Sequence, residues 1–124
     1  MSVPILKQGT YLIATIQSAL SDTEALDLRD DLMMQAGRHR SKGIIVDVTS
    51  LDVMDSFAAR SLRSISHMAR LRGAATVIVG IQPEVAFSMV QLGLTFEEVN
   101  TALDLEEGLA FLDQLTKGTD LGGR

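Results

Sequence analysis

The chain has 124 residues, 46% of them apolar and 22% charged, which suits one globular domain with one core and leaves no length for a second. It contains no cysteine, which excludes thiol catalysis, disulfide frameworks and cysteine-ligated zinc. Sixteen acidic against eleven basic residues give a net charge of -5, which argues against nucleic acid as the main partner.

Met1 to Thr10 lacks the basic segment and apolar run of a signal peptide, and no stretch reaches the roughly 20 apolar residues that span a bilayer. A cytoplasmic location is the expectation. The pattern predicts strand, strand, helix, strand, helix, strand, helix, helix, with a further short strand near Glu98 to Thr101. Tyr11 to Ile16, Gly43 to Val48 and Ala74 to Ile81 are β-branched and apolar with little alternation, the pattern of strands covered on both faces.

The first helix is expected over about Asp22 to Arg38. Ser21 and Glu24 have capping-box spacing, and Ala25, Leu28, Leu32 and Ala36 recur at helical intervals. A second is expected over about Asp55 to Arg72, with Ala58, Leu62, Ile65 and Ala69 on one face and Gly73 past its end. A third should start at Pro83 and stop near Gly93, turning Val85, Met89 and Leu92 inward. The fourth should start at Asp104, with Glu107 as its acidic capping partner and Leu105, Leu109 and Leu112 as its apolar stripe. The domain is expected over residues 1–116, and 117–124, without a hydrophobic pattern, as a flexible tail. Strands alternating with helices imply an α/β domain with a mixed, mostly parallel sheet.

Asp47, at the end of Ile44-Ile-Val-Asp-Val, invites comparison with response-regulator receivers. The comparison fails, because no acid pair follows the first strand and none of the three lysines, Lys7, Lys42 and Lys117, comes directly after the last. Asp47, Asp52 and Asp55 have oxygen ligands that suit Mg²⁺. The simpler reading makes Asp55 a helix cap and Asp52 a turn residue. Neither histidine suggests catalysis: His39 sits in a basic helix end and His67 is mid-helix. No nucleophile elbow, Walker loop or dinucleotide fingerprint is present.

Asp55-Ser56-Phe57 stands out instead. At 100° per residue, Ser56, Arg60, Arg63 and His67 form one stripe opposite the apolar face, which puts a hydroxyl at a helix start bordered by cations. Two readings of these residues remain open: a functional hydroxyl, or a first-turn serine beside a solvated basic face.

The run Ile44 to Ala59, in which a strand delivers an Asp-Ser pair to a helix start, resembles the STAS domains, the sulfate-transporter and anti-sigma-factor-antagonist family. The resemblance covers about residues 4 to 115. Gly80 to Leu94 and Leu103 to Leu109 look like the stressosome branch of that family, and most like its RsbS-type scaffolds. The resemblance implies a sheet with about four helices packed on one face and the Asp55-Ser56 loop at an exposed end. It implies a role without catalysis and without a cofactor or metal. It further implies Ser56 as the primary phosphoacceptor, Ser88 as a secondary one, and a partner-binding surface that takes in Asp55, Ser56, Phe57, Arg60 and Arg63.

The implied partners are RsbR-like STAS paralogues, an RsbT-like serine kinase held until the scaffold is phosphorylated, an RsbX-like phosphatase that resets it, and further copies in a large assembly. The sequence shows no N-terminal sensor domain of the kind RsbR-like paralogues carry, which favours the scaffold. Two alternatives are a constitutive packing subunit whose Ser56 is only a cap, and a STAS domain that binds a nucleotide or lipid near the same loop. The absence of a Gly-rich phosphate cradle and a total of only five aromatic residues disfavour the last.

Overall fold

In the computed structural model, residues 3–94, 96 and 98–122 are described, with side chains through residue 116. The elements are β1 (Ile5–Gln8), β2 (Tyr11–Thr15), α1 (Asp22–His39), β3 (Gly43–Asp47), α2 (Ser56–Leu71), β4 (Ala75–Val79), α3 (Pro83–Gln91), β5 (Asn100–Ala102) and α4 (Leu105–Gly122). β1 and β2 form an antiparallel hairpin joined by the two-residue turn Gly9-Thr10, with Gln8 opposite Tyr11. From β2 onward every pairing is parallel, and the spatial order β1-β2-β3-β4-β5 equals the chain order. The fold is the α/β class with a mixed, mostly parallel sheet that the sequence predicts.

The capping box at the start of α1 forms as its spacing requires. Glu24 N–H donates to Ser21 Oγ at 3.1 Å, and Ser21 N–H donates to Glu24 Oε1 at 2.9 Å. Ala25, Leu28, Leu32 and Ala36 are buried, joined by Met33. α4 opens with Asp104 Oδ1 accepting from Glu107 N–H at 2.9 Å. Its helical backbone continues to Gly122, through most of the segment expected as a tail. Thr116 Oγ1 bonds back to the Leu112 carbonyl at 2.9 Å, so the last side chain described is still tied to the preceding turn.

The helices divide between the two faces of the sheet. Leu12, Ala14, Ile44, Val46 and Ile78 pack with Leu28 and Leu32 of α1, Leu62 and Ile65 of α2 and Val85 and Met89 of α3. Their neighbours in sequence, Ile13, Ile45, Val77 and Val79, point the other way and pack with Leu105, Leu109 and Leu112 of α4. The expectation of all four helices on one face is therefore corrected to three and one. The reason lies in the strands. Both alternating sets are apolar, and leaving Ile45, Val77 and Val79 in water would cost about 1.5–3 kcal/mol each. Tyr11 Oη donates to Asp113 Oδ1 at 2.7 Å, which ties α4 to the start of β2.

Leu92 is also corrected. It stands at the C-cap of α3 and is 62% exposed, because α3 ends at Gln91 and Met89 is its last residue to reach the core. The short fifth strand forms two residues later than expected.

Candidate functional site: the loop from β3 to α2

β3 lies between β2 and β4, so the segment leaving its carboxyl end emerges at the middle of the sheet edge. Val48 continues inward, and Val48 N–H donates to the Val79 carbonyl at 3.0 Å. Asp47 Oδ1 then accepts two bonds, from Thr49 N–H at 2.9 Å and from Thr49 Oγ1 at 2.6 Å. This is a local turn closed by a carboxylate. Leu51 and Met54 are buried and anchor the loop, leaving Asp52, Val53 and Asp55 outward.

A second loop braces the first. Gln82 Nε2 donates to the Thr49 carbonyl at 2.7 Å, linking the entry of α3 to the turn after β3. Gly80 makes the approach possible. Its φ is +81°, and a Cβ there would overlap the Thr49 side chain and lie 3.0 Å from Thr49 Cα.

Asp55 is the N-cap of α2, its Oδ1 accepting from Ala58 N–H at 2.8 Å. Ser56 is therefore the first helical residue rather than the cap. It is half-buried, and its hydroxyl makes no hydrogen bond among the described residues. Phe57 is half-buried beside it, and Arg60 is exposed one turn on.

The structure separates members of the predicted stripe. Arg63 and His67 are half-buried, whereas the open ridge of α2 runs through Arg60, Ser64, Met68 and Leu71. The cause is a buried face wider than the predicted one: Ala59 and Ser66 join Ala58, Leu62, Ile65 and Ala69. His67 turns toward the connection before β5, with Nε2 3.8 Å from Glu98 Oε2, beyond hydrogen-bond range, and Arg70 donates to the Glu98 carbonyl. His67 thus belongs to the flank of α2 that faces β5.

Ser88 is exposed on α3, about 7–8 Å of helical rise beyond Pro83, on a different element from the loop. Sequence reasoning did not identify Thr49, Gly80 or Gln82. Their signals were present: Asp-x-Thr has the spacing of a carboxylate-closed turn, and a glycine shortly before Pro83 marks a tight entry to a helix. No group of three or more His, Asp or Glu side chains among the described residues could hold a metal ion. The site therefore offers a hydroxyl without a base hydrogen-bonded to it, held at a helix start by a frame whose own polar groups are bonded.

The profile of the STAS domain family matches residues 2–108. The chain belongs to the STAS family. The chain is similar to the RsbT co-antagonist protein RsbRA of Bacillus subtilis strain 168, at 31% identity over 117 residues, which cover 92% of this chain and 41% of that protein. It spans about two fifths of the length of that curated relative. Among solved structures, a serine-to-glutamate variant of RsbS from Moorella thermoacetica superposes with a TM-score of 0.80 at 34% identity, covering 93% of this chain and 97% of that one. A chain from a structure of the stressosome, described as a signal integration and transduction hub, matches with a TM-score of 0.73 at 33% identity, covering 91% of this chain and 98% of that one. The STAS resemblance read from Ile44 to Ala59, and the RsbS-like one read from Gly80 to Leu94 and Leu103 to Leu109, are matched by these comparisons across nearly the whole chain.

Proposed function

We propose that this STAS protein is a phosphorylation-switched scaffold of a stressosome-like assembly, working in the cytoplasm and without catalysis or cofactor of its own. It packs with further copies of itself and with RsbR-like paralogues, and captures an RsbT-like serine kinase. The kinase phosphorylates Ser56 and is thereby released, and an RsbX-like phosphatase restores the capturing state. The observation that carries this reading is the Ser56 hydroxyl, half-buried at the first position of α2 and without a hydrogen-bond partner among the described residues, while Asp55 already performs the capping.

Asp55, Ser56, Phe57, Arg60 and Arg63 form the kinase-facing surface in this reading, and Ser88 is a subsidiary acceptor. A phosphate on Ser56 adds about -1.5 to -2 charges and three acceptor oxygens. The N-terminus of α2 and Arg60 favour it, and Asp52 and Asp55 oppose it, so the loop keeps its fold. The cost falls on the interface, where a dianion meets a surface matched to a neutral hydroxyl. A loss of about 1–3 kcal/mol weakens capture by roughly 5- to 150-fold.

The test is to incubate the protein with an RsbT-like kinase and ATP and map phosphate within the tryptic fragment Gly43 to Arg60, which also holds Thr49 and Ser50. Kinase retention is then compared for wild type and Ser56→Ala. Phosphate on Ser56, with Ser56→Ala capturing the kinase and failing to release it, is the expected result. Equal retention with and without phosphate would make the protein a constitutive packing subunit.

A further inference from the structure

The opposite edge of the sheet carries a different chemistry. Arg38, Arg40, Lys42, Arg70 and Arg72, five of the eleven basic residues, lie in the last turns of α1 and α2 or just beyond them. Between these helix ends opens a cleft of about 270 Å³, lined in part by Gly37, Arg40, Ser41, Lys42, Arg72 and Gly73, with no carboxylate among the described residues that line it. These residues precede β3 and β4, whereas the Ser56 loop follows β3, so the cleft and the loop occupy opposite ends of the parallel strands.

Helix dipoles account for only part of this charge. Arg38 and His39 in the last turn of α1, and Arg70 in the last turn of α2, already complement the carboxyl ends. Arg40, Lys42 and Arg72 lie past those turns. Neither the Arg40 nor the Arg72 guanidinium has an ion pair or hydrogen bond among the described residues.

Two local preferences are also broken at this cleft. Arg40 is the C-cap of α1 with φ 50° and ψ 47°, the one non-glycine residue with positive φ among those described, at a place where a helix favours glycine. Gly37 lies inside α1, where alanine would be the better helix former. A Cβ at Gly37 would come within 2.7 Å of Arg72 Nη2, so the guanidinium lies against α1 at its glycine and alanine there would displace it. An arginine where glycine is easier and a glycine where alanine is easier both serve to keep cations at one cleft.

We propose that the cleft between the carboxyl ends of α1 and α2 binds a small phosphate-bearing anion, held by Arg40, Lys42 and Arg72. Its volume suits one or two phosphate groups, and Arg40 and Arg72 reach it from different helices. A bound anion therefore bridges α1 and α2 at the end remote from Ser56, giving the subunit a ligand input independent of phosphorylation.

The experiment is calorimetric titration of the full chain with pyrophosphate at fixed ionic strength, alongside sulfate, orthophosphate and ADP. Saturable pyrophosphate binding that sulfate does not reproduce is expected, and Arg72→Gln should weaken it about 10- to 100-fold. ADP binding no tighter than pyrophosphate identifies the diphosphate as the recognised group, and tighter ADP binding identifies a nucleotide as its source. Arg40→Gly and Gly37→Ala separate function from folding. Each should raise the ligand-free Tm by about 2–6 °C while weakening pyrophosphate binding. Equal binding of sulfate, no binding of any phosphate compound, unchanged affinity in the stabilised variants, or preference for an acidic peptide over pyrophosphate would each overturn the proposal.

Discussion

The two ends of the parallel strands handle charge in opposite ways. At the carboxyl end, Asp47, Thr49, Asp55 and Gln82 spend their hydrogen bonds on the loop itself, and the Ser56 hydroxyl is left over. At the amino end, Arg40, Lys42 and Arg72 line a cleft with no carboxylate among its described lining residues, and Arg40 holds a positive φ where glycine is easier. In the proposed function, one end acquires charge by phosphorylation of Ser56 on a frame whose Asp47 and Asp55 are already hydrogen-bonded. The other carries its charge permanently, at a conformational cost. Under the proposed function this division has a physical reason: with Asp55 as the cap, a phosphate on Ser56 would break no hydrogen bond that the helix start depends on.

This contrast breaks most forcefully at Gly80. Alanine there must adopt φ +81° and press on the Thr49 backbone, so Gly80→Ala should destabilise the protein by about 2–4 kcal/mol, read from the urea midpoint. A cost below about 1 kcal/mol would mean that the two loops are not locked together. Asp55→Ala should cost about 1 kcal/mol through loss of the bond to Ala58 N–H, measured in the same way. It should also slow phosphorylation of Ser56 by a kinase that reads the helix start.

Ser56→Ala sharpens the comparison further, because its predicted effect on stability is small: within about 0.5 kcal/mol of wild type. Side by side with Asp55→Ala, it separates an acceptor from a cap. A loss as large as that of Asp55→Ala would show that the hydroxyl supports the fold, and the reading of Ser56 as a free acceptor would fail.

Much of this architecture was legible because strong local signals coincide with it. The Ser21/Glu24 box, the β-branched cores of β2, β3 and β4, and the recurrence of Ala58, Leu62, Ile65 and Ala69 at three- and four-residue intervals all specify elements within a few residues. The Asp55-Ser56 helix start was legible for the same reason. What failed to show was relational. The stripe Leu105, Leu109 and Leu112 announces a helix with a buried side but not which face of the sheet it covers. The strands themselves held that answer, since two apolar parities require cover on both sides. The stripe of Ser56, Arg60, Arg63 and His67 was sound as angles on a helix, yet the roll of that helix depends on Ala59 and Ser66, small residues whose burial no hydropathy pattern marks. The basic cleft joins residues thirty positions apart, and only packing of α1 against α2 brings Gly37 to Arg72.

The smallest expected effect lies on the same end of the sheet as Ser56, where α1 begins. The backbone N–H of Ser21, and then its hydroxyl, hold the Glu24 carboxyl below its ordinary pKa. A carboxyl lowered in the folded state binds its proton more readily in the unfolded chain. Its contribution is therefore present above the unfolded value, about 4.3, and is lost as pH falls through the folded one. Glu24→Gln retains an oxygen that can accept from Ser21 N–H but removes the charge, so it should flatten the decline of Tm between pH 6 and pH 3 relative to wild type while leaving Ser56 phosphorylation at pH 7 unchanged. The group is fully exposed, and the change in slope should be slight. Identical slopes for the two proteins would mean that the box acts through its hydrogen bonds alone, and that even at this acidic start of α1 the carboxyl end of the sheet draws its stability from bonded geometry and not from fixed charge.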